Sequence, residues 1–170
     1  GTLTLVVVNR VQRAIDVHDA LDDLRSAGKG KKRVLKPDAP DLRLVHSRFR
    51  GAERARWANE FLHRDATLPD TGRIIVATQV VEAGVDISAR TLITDLAPWS
   101  RLVQRFGRAA RYEKESGTVV VVGAVPEQEK DATPYAQREL AAADEAIAKL
   151  LAREADGSPR SLEAFEDELT

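Results

Sequence analysis

The chain has 170 residues, 43% of them hydrophobic and 31% charged; that is enough to bury the core of one α/β domain and too apolar for a disordered segment. With no cysteine and only three scattered histidines (His18, His46, His63), disulfides and thiolate metal sites are excluded and zinc is poorly served. The net charge of -1 hides a basic front, +6 over residues 1–64, +1 over 65–112 and -8 over 113–170, so a polyanion is expected to meet the N-terminal two-thirds, unless the asymmetry is simple surface variation.

Gly1 is not an initiator methionine and Leu3 to Val8 already reads as a buried strand, so the segment is expected to belong to something larger. A helix follows, with Val11, Ala14, Ile15, His18, Leu21 and Leu24 on one face and Gly28 as its stop. Lys29 to Arg33 reads as a basic loop, with a solvated loop as its plain alternative. Leu42 to His46 is a second strand, and the next helix uses Ala55, Ala58, Phe61 and Leu62 as its apolar face. Ile74 to Ala77 is a third strand, before a short helix that Gly84 ends. Leu92 to Thr94 is a fourth strand, and Leu102, Val103 and Phe106 mark the buried side of the helix after it. Thr118 to Val122 is a fifth strand. A polar loop then leads to an alanine-rich helix from Tyr135 to Glu154. Asp156 to Pro159 signals a linker, and Leu162 to Leu169 a short acidic helix.

Strands alternating with helices predict an α/β sandwich of three layers, a mostly parallel central sheet with helices on both faces. In such sheets ligands meet the carboxyl ends of the strands. No apolar run reaches the roughly eighteen residues of a membrane span, and no leader-like N-terminus is present. No membrane partner is expected, and a cytoplasmic location is.

Two segments carry chemistry. In Gln104 to Arg111 the arginines at 105, 108 and 111 recur every three residues, near one face of a helical turn. Guanidinium forks match phosphate oxygens and stay charged at any working pH. Gly107 removes a side chain where something must approach closely. The bland alternative is a solvated basic face. The second segment, Thr78 to Ile87, follows a buried strand. Thr78 and Gln79 can bond phosphate or sugar, and Asp86 can accept from a ribose hydroxyl. Alternatively Thr78 and Gln79 only start a helix and Asp86 caps the next element.

Together, T-Q-x-x-E-x-G-x-D over Thr78–Asp86 and Q-R-x-G-R-x-x-R over Gln104–Arg111 resemble motifs V and VI of the superfamily-two helicases, and Val6-Val7-Val8-Asn9 resembles motif IV. The resemblance spans about residues 3 to 123 and implies a RecA-like second motor domain. His46-Ser47-Arg48-Phe49, Thr78-Gln79-Val80-Val81-Glu82 and Thr94-Asp95-Leu96-Ala97-Pro98 narrow it to the CRISPR-associated helicase–nuclease of type I systems. Gly84-Val85-Asp86 stands where that family frequently has serine-leucine-aspartate.

The resemblance implies that Arg108 and Arg111 are arginine fingers on the γ-phosphate of ATP. It implies that Gln104 senses the nucleotide, that Asp86 holds its ribose, and that Gly84 belongs to the same site. Arg105 is left between nucleotide contact and a buried ion pair. Thr78, Gln79, Asn9, Arg10, His46, Ser47 and Arg48 would line the groove for single-stranded DNA, although His46 also reads as an interior histidine. Trp57 reads as core, and Trp99 as either core or a stacking platform. No G-x-x-x-x-G-K-[ST] loop, magnesium-holding Asp-Glu pair or histidine-aspartate nuclease signature occurs. ATP and Mg2+ would therefore be held by an absent first RecA-like domain.

The implied organisation is a motor core over 1–125, a loop and long helix over 126–155, and a linker with an acidic helix over 156–170. A nuclease domain of the parent protein and an RNA-guided surveillance complex are the implied partners. An RNA helicase or remodeller motor, or a non-catalytic nucleic-acid-binding or scaffolding module, are the rival readings.

Overall fold

The structure is a computed structural model that describes residues 1–28, 30–112, 115–153, 158, 161, 162 and 165, with only the backbone of Lys31. In chain order its elements are β1 (Leu3–Val7), α1 (Val11–Leu24), β2 (Ser26–Ala27), β3 (Val34–Leu35), β4 (Asp41–Val45), α2 (Gly51–Glu60), β5 (Arg73–Ala77), β6 (Thr91–Asp95), α3 (Trp99–Phe106), β7 (Thr118–Val122) and α4 (Gln137–Ala152). Five strands form one sheet in the order β4-β5-β1-β6-β7, with every neighbouring pair parallel. This is the doubly wound α/β layout that the alternation of strands and helices predicts.

Sheet position explains strand composition. Central β1 is covered on both faces, so nearly all of it is buried and it reads as an unbroken apolar run. Its alternate residues Leu3, Leu5 and Val7 join Ile75, Ala77 and Leu92 on the face packed by α3 and α4. Val6 and Val8 point the other way, with Val76, and meet Ala14, Val17 and Leu21 of α1. Edge strand β7 has only one covered face, so Val119 and Val121 pack while Val120 and Val122 stay exposed.

Several local expectations change. Gly28 (φ +83°) does not stop α1, which ends at Leu24. It lies instead in an antiparallel β2–β3 hairpin, whose two-residue strands leave too little periodicity to read. The basic run is a 3-10 turn within that hairpin, Gly30–Lys32; Lys29 lies outside the described residues. On α2 the expected apolar pair Ala55 and Ala58 is exposed. Trp57 is the buried residue, its ring edge-on to Phe49 at 4.8 Å, with Phe61 and Leu62 beside it in the core. The short helix expected after β5 is a single 3-10 turn, Gln79–Val81.

Helix α4 lies on the core, burying Leu140, Ala143, Ala146 and Leu150 along one stripe. Leu162 and Phe165 are buried in the same cluster. Trp99 belongs to this packing too, with its ring 5.3 Å from that of Phe165 and 6.4 Å from that of Phe106. The remainder of the expected acidic helix, and all of the expected linker except Ser158, lie outside the described residues. Among the described residues no helix is long and apolar enough to cross a membrane.

Candidate functional site

Helix α3 delivers Arg105 into the interior, where its side chain is 0% exposed. Its Nε donates to Glu82 Oε1 at 2.9 Å. Nη1 donates to Thr94 Oγ1 at 2.8 Å and to the Asp95 carbonyl at 3.1 Å. Nη2 donates to Asn9 Oδ1 at 3.0 Å and to the Tyr135 hydroxyl at 3.3 Å. All five N–H groups of the guanidinium are thereby engaged. No donor remains for a nucleotide, so Arg105 is the buried ion pair of the two alternatives. The partner carboxylate of Glu82 is buried as well and takes a second cation, Arg101 Nη1, at 3.2 Å.

The strand ends after β1 and β5 feed the same hub. Asn9 Nδ2 donates to the Leu96 carbonyl at 2.7 Å, and the Asn9 amide donates to Asp95 Oδ2 at 3.0 Å. Gln79 Nε2 donates to the Asn9 carbonyl at 2.9 Å and to the Tyr135 hydroxyl at 3.2 Å. Arg10 reaches back to the Thr133 and Asp131 carbonyls at 2.6 and 2.8 Å. Three residues expected to face DNA thus hold their own domain together. Thr78 is buried at 2% exposure, and only Ser47 and Arg48 are exposed at the end of β4.

His46 is interior. Its ring lies 4.3 Å from that of Phe49, it is 7% exposed, and its Nδ1 is buried without a partner among the described residues. Burial first, and then the positive charge of Arg48, push its pKa below the ordinary value, while a backbone hydrogen bond opposes the shift. It is therefore a neutral core ring rather than a phosphate-binding cation at neutral pH. Because the folded-state pKa is depressed, the stability it carries is complete above about pH 6.5, the unfolded value, and is lost as pH falls through the folded value. Thermal unfolding should show a shallower loss between pH 7.5 and 5 in His46→Phe than in the parent. Equal slopes would place the ring in solvent.

A second cluster joins the segment between β5 and β6 to the turn after α3. Gly84, at φ +73°, reverses the chain there. Arg108, 8% exposed, donates from Nη2 to the Glu82 carbonyl at 2.7 Å and from Nη1 to the Val85 carbonyl at 2.8 Å. It pins that reversal, and its Nε is buried without a partner among the described residues. Burial, then the charge of Arg111, lower its pKa, against the pull of Asp86 and Tyr112. Ala110 adopts φ +44°, a left-handed conformation costing a residue with a Cβ roughly 1–2 kcal/mol. After that turn Arg111 Nε lies 3.4 Å from Asp86 Oδ1, with side chains 40% and 53% exposed. The Tyr112 hydroxyl also donates to Asp86 Oδ1, at 3.1 Å.

Gln104 is exposed, and its side chain makes no hydrogen bond among the described residues. A Cβ on Gly107 would meet only the carbonyls of Gln104 and Val103 at 3.6 Å, so no part of the described chain makes the close approach expected there. The hub residues that motif reading left without a role are Glu82, Thr94 and Tyr135. Glu82 carried a signal: an acid set among Val80, Val81 and Ala83 needs a buried cation.

The family described as the C-terminal part of the CRISPR-associated nuclease/helicase Cas3 matches residues 1–114. The CRISPR-associated helicase Cas3 of Thermoproteus tenax is 31% identical over 152 residues, which is 89% of this chain and 23% of that protein. T. fusca Cas3 solved with ADP superimposes with a TM-score of 0.68 at 28% identity, covering 99% of this chain and 20% of that one. A CRISPR RNA-guided surveillance complex in its pre-nicking state contains a chain with a TM-score of 0.63 at 25% identity, covering 96% of this chain and 21% of that one. This chain therefore spans under a quarter of each.

Proposed function

Since the chain belongs to the family of Cas3 C-terminal domains, we propose that it is the second RecA-like motor domain of an ATP-dependent, DNA-translocating helicase–nuclease. The observation that carries the reading is the exposed Asp86–Arg111 pair, set beyond the turn that follows α3, the helix that buried Arg105 locks in place. An exposed pair at 3.4 Å is weak and opens readily to a better anion. Arg111 can therefore turn to a phosphate without cost to the core, whereas Arg108, expected to act beside it, first holds the reversal at Gly84. ATP, when bound against a first RecA-like domain that also holds Mg2+, supplies the phosphoryl group whose transfer drives the motor. Exposed Gln104 can meet the nucleotide from this side, and Asp86 can do so once Arg111 turns away.

Ser47 and Arg48 supply sequence-independent backbone contacts to single-stranded DNA. Asn9, Arg10, Gln79 and Thr78 shape that edge from within. A motor core over 1–125, with the 126–155 segment packed on it and an accessory region over 156–170, is the organisation we propose. The parent protein would act in the cytoplasm, with its nuclease domain and an RNA-guided surveillance complex. The isolated chain should hydrolyse ATP no faster than buffer, and the full-length parent should do so when given single-stranded DNA. Sustained turnover by the isolated chain would sink the half-site reading.

A further inference from the structure

Tyr135 precedes α4, outside every helicase-like motif in the sequence, yet its hydroxyl touches two of them. It accepts from Gln79 Nε2 at 3.2 Å and from Arg105 Nη2 at 3.3 Å. Gln79 follows β5 on the strand-end edge, and Arg105 belongs to α3, the arginine helix, which leads into the turn before Arg111. Tyr135 shares this bridging position with Asn9, whose carbonyl accepts from Gln79 and whose Oδ1 accepts from Arg105. Arg10, from the same edge, clasps this segment through the Asp131 and Thr133 carbonyls. The Tyr135 amide donates in turn to the Ala132 carbonyl at 3.0 Å. Beyond it, Leu140 anchors α4 in the core. The segment is thus fixed at three points, and its Tyr135 oxygen adds a second bridge, beside Asn9, between the strand-end edge and α3.

We propose that Tyr135 is a positioning residue that couples the strand-end edge to the arginine helix, so that an event at one changes the geometry at the other. The proposal rests on the motor reading above. An acceptor shared by two donors from different elements ties their positions together, because neither can withdraw without leaving an unpaired polar group. Removing the oxygen leaves the Asn9 link to hold both elements in place and weakens their coupling.

The test uses the full-length parent protein and its Tyr135→Phe variant. Stimulation of ATP turnover by single-stranded DNA should fall about tenfold, the rate equivalent of one hydrogen bond to a charged partner, here Arg105. Hydrogen exchange without nucleotide or DNA is the second readout. The amides of Glu82 and Gly107, bonded to the Gln79 and Val103 carbonyls, should exchange faster together. Leu140→Ala loosens the same helix without touching either donor. At a matched loss of thermal stability it should leave the stimulation ratio and those two amides as they were. An unchanged ratio in Tyr135→Phe, unchanged exchange, or an equal effect of Leu140→Ala overturns the proposal while leaving the motor reading intact. A parent protein that shows no DNA-dependent ATP turnover overturns both.

Discussion

Replacing Arg105 with alanine should cost the domain about 3–5 kcal/mol, a large part of the roughly 5–15 kcal/mol that holds such a fold. The expectation follows from what the substitution leaves behind. Five hydrogen bonds disappear at once, and four of their acceptors (Glu82, Thr94, Asn9 and the Asp95 carbonyl) lie on three separate elements. The Glu82 carboxylate, 3% exposed, keeps only the partly exposed Arg101 at 3.2 Å. A buried carboxylate stripped of its buried cation is costlier than the loss of the attraction itself. Arg105→Lys should recover little, because an ammonium cannot reproduce a planar fork that reaches five acceptors. Glu82→Gln should cost less, since the amide oxygen can still accept from Nε. Urea unfolding of the 170-residue chain checks the series. A loss under about 1 kcal/mol in Arg105→Ala would show that the network contributes no more than a surface pair.

The sheet was legible because its central strands are buried on both faces. Leu3 to Val8 and Ile74 to Ala77 read as strands from composition alone, and the helix periods between them left one topology class. What was not legible depends on distance in space. Trp57 read as core and is buried, but the exposure of Ala55 and Ala58 was not legible, since helical spacing set them on one face with Phe61 and Leu62 while α2 ends at Glu60, before those two residues enter the core. The hairpin at Ser26–Leu35 consists of two-residue strands, below the length at which alternation can register. The site divides in the same way. Motif spacing brought Asp86, Arg108 and Arg111 into one neighbourhood, and the structure joins them within one turn. It could not sort three arginines of identical type, because their roles follow from depth: one enclosed by five acceptors, one against two carbonyls, one at the surface. Asn9, Arg10 and Gln79 were expected to line the DNA groove because they end strands. Their side chains bond within the domain, Asn9 to the Leu96 carbonyl, exposed Arg10 to the Asp131 and Thr133 carbonyls and Gln79 to the Asn9 carbonyl and the Tyr135 hydroxyl, contacts separated by up to 123 positions in sequence.

Arg111→Ala should lower ATP turnover of the full-length parent about 10³–10⁵-fold, the range in which an arginine finger acts on phosphoryl transfer. Its unfolding midpoint should barely move. The two expectations separate because Arg111 is a surface residue. Its pair with Asp86 is more than a third exposed on both sides, and such pairs contribute about 0–1 kcal/mol at most once solvent screening is counted. Asp86 also keeps the Tyr112 hydroxyl at 3.1 Å when the guanidinium is gone, so its carboxylate is not orphaned. Arg108→Ala makes the contrast. That residue is nearly buried and bonds the Glu82 and Val85 carbonyls; its loss should lower stability and turnover together by freeing the reversal at Gly84. Arg111→Lys retains the charge without the fork and should recover part of the lost rate, since a point charge still binds phosphate but without bidentate geometry. Turnover with saturating single-stranded DNA, read beside thermal unfolding of the same samples, distinguishes the cases. Arg111→Ala turning over within tenfold of the parent would remove Arg111 from the phosphate and leave the pair with Asp86 as surface chemistry only.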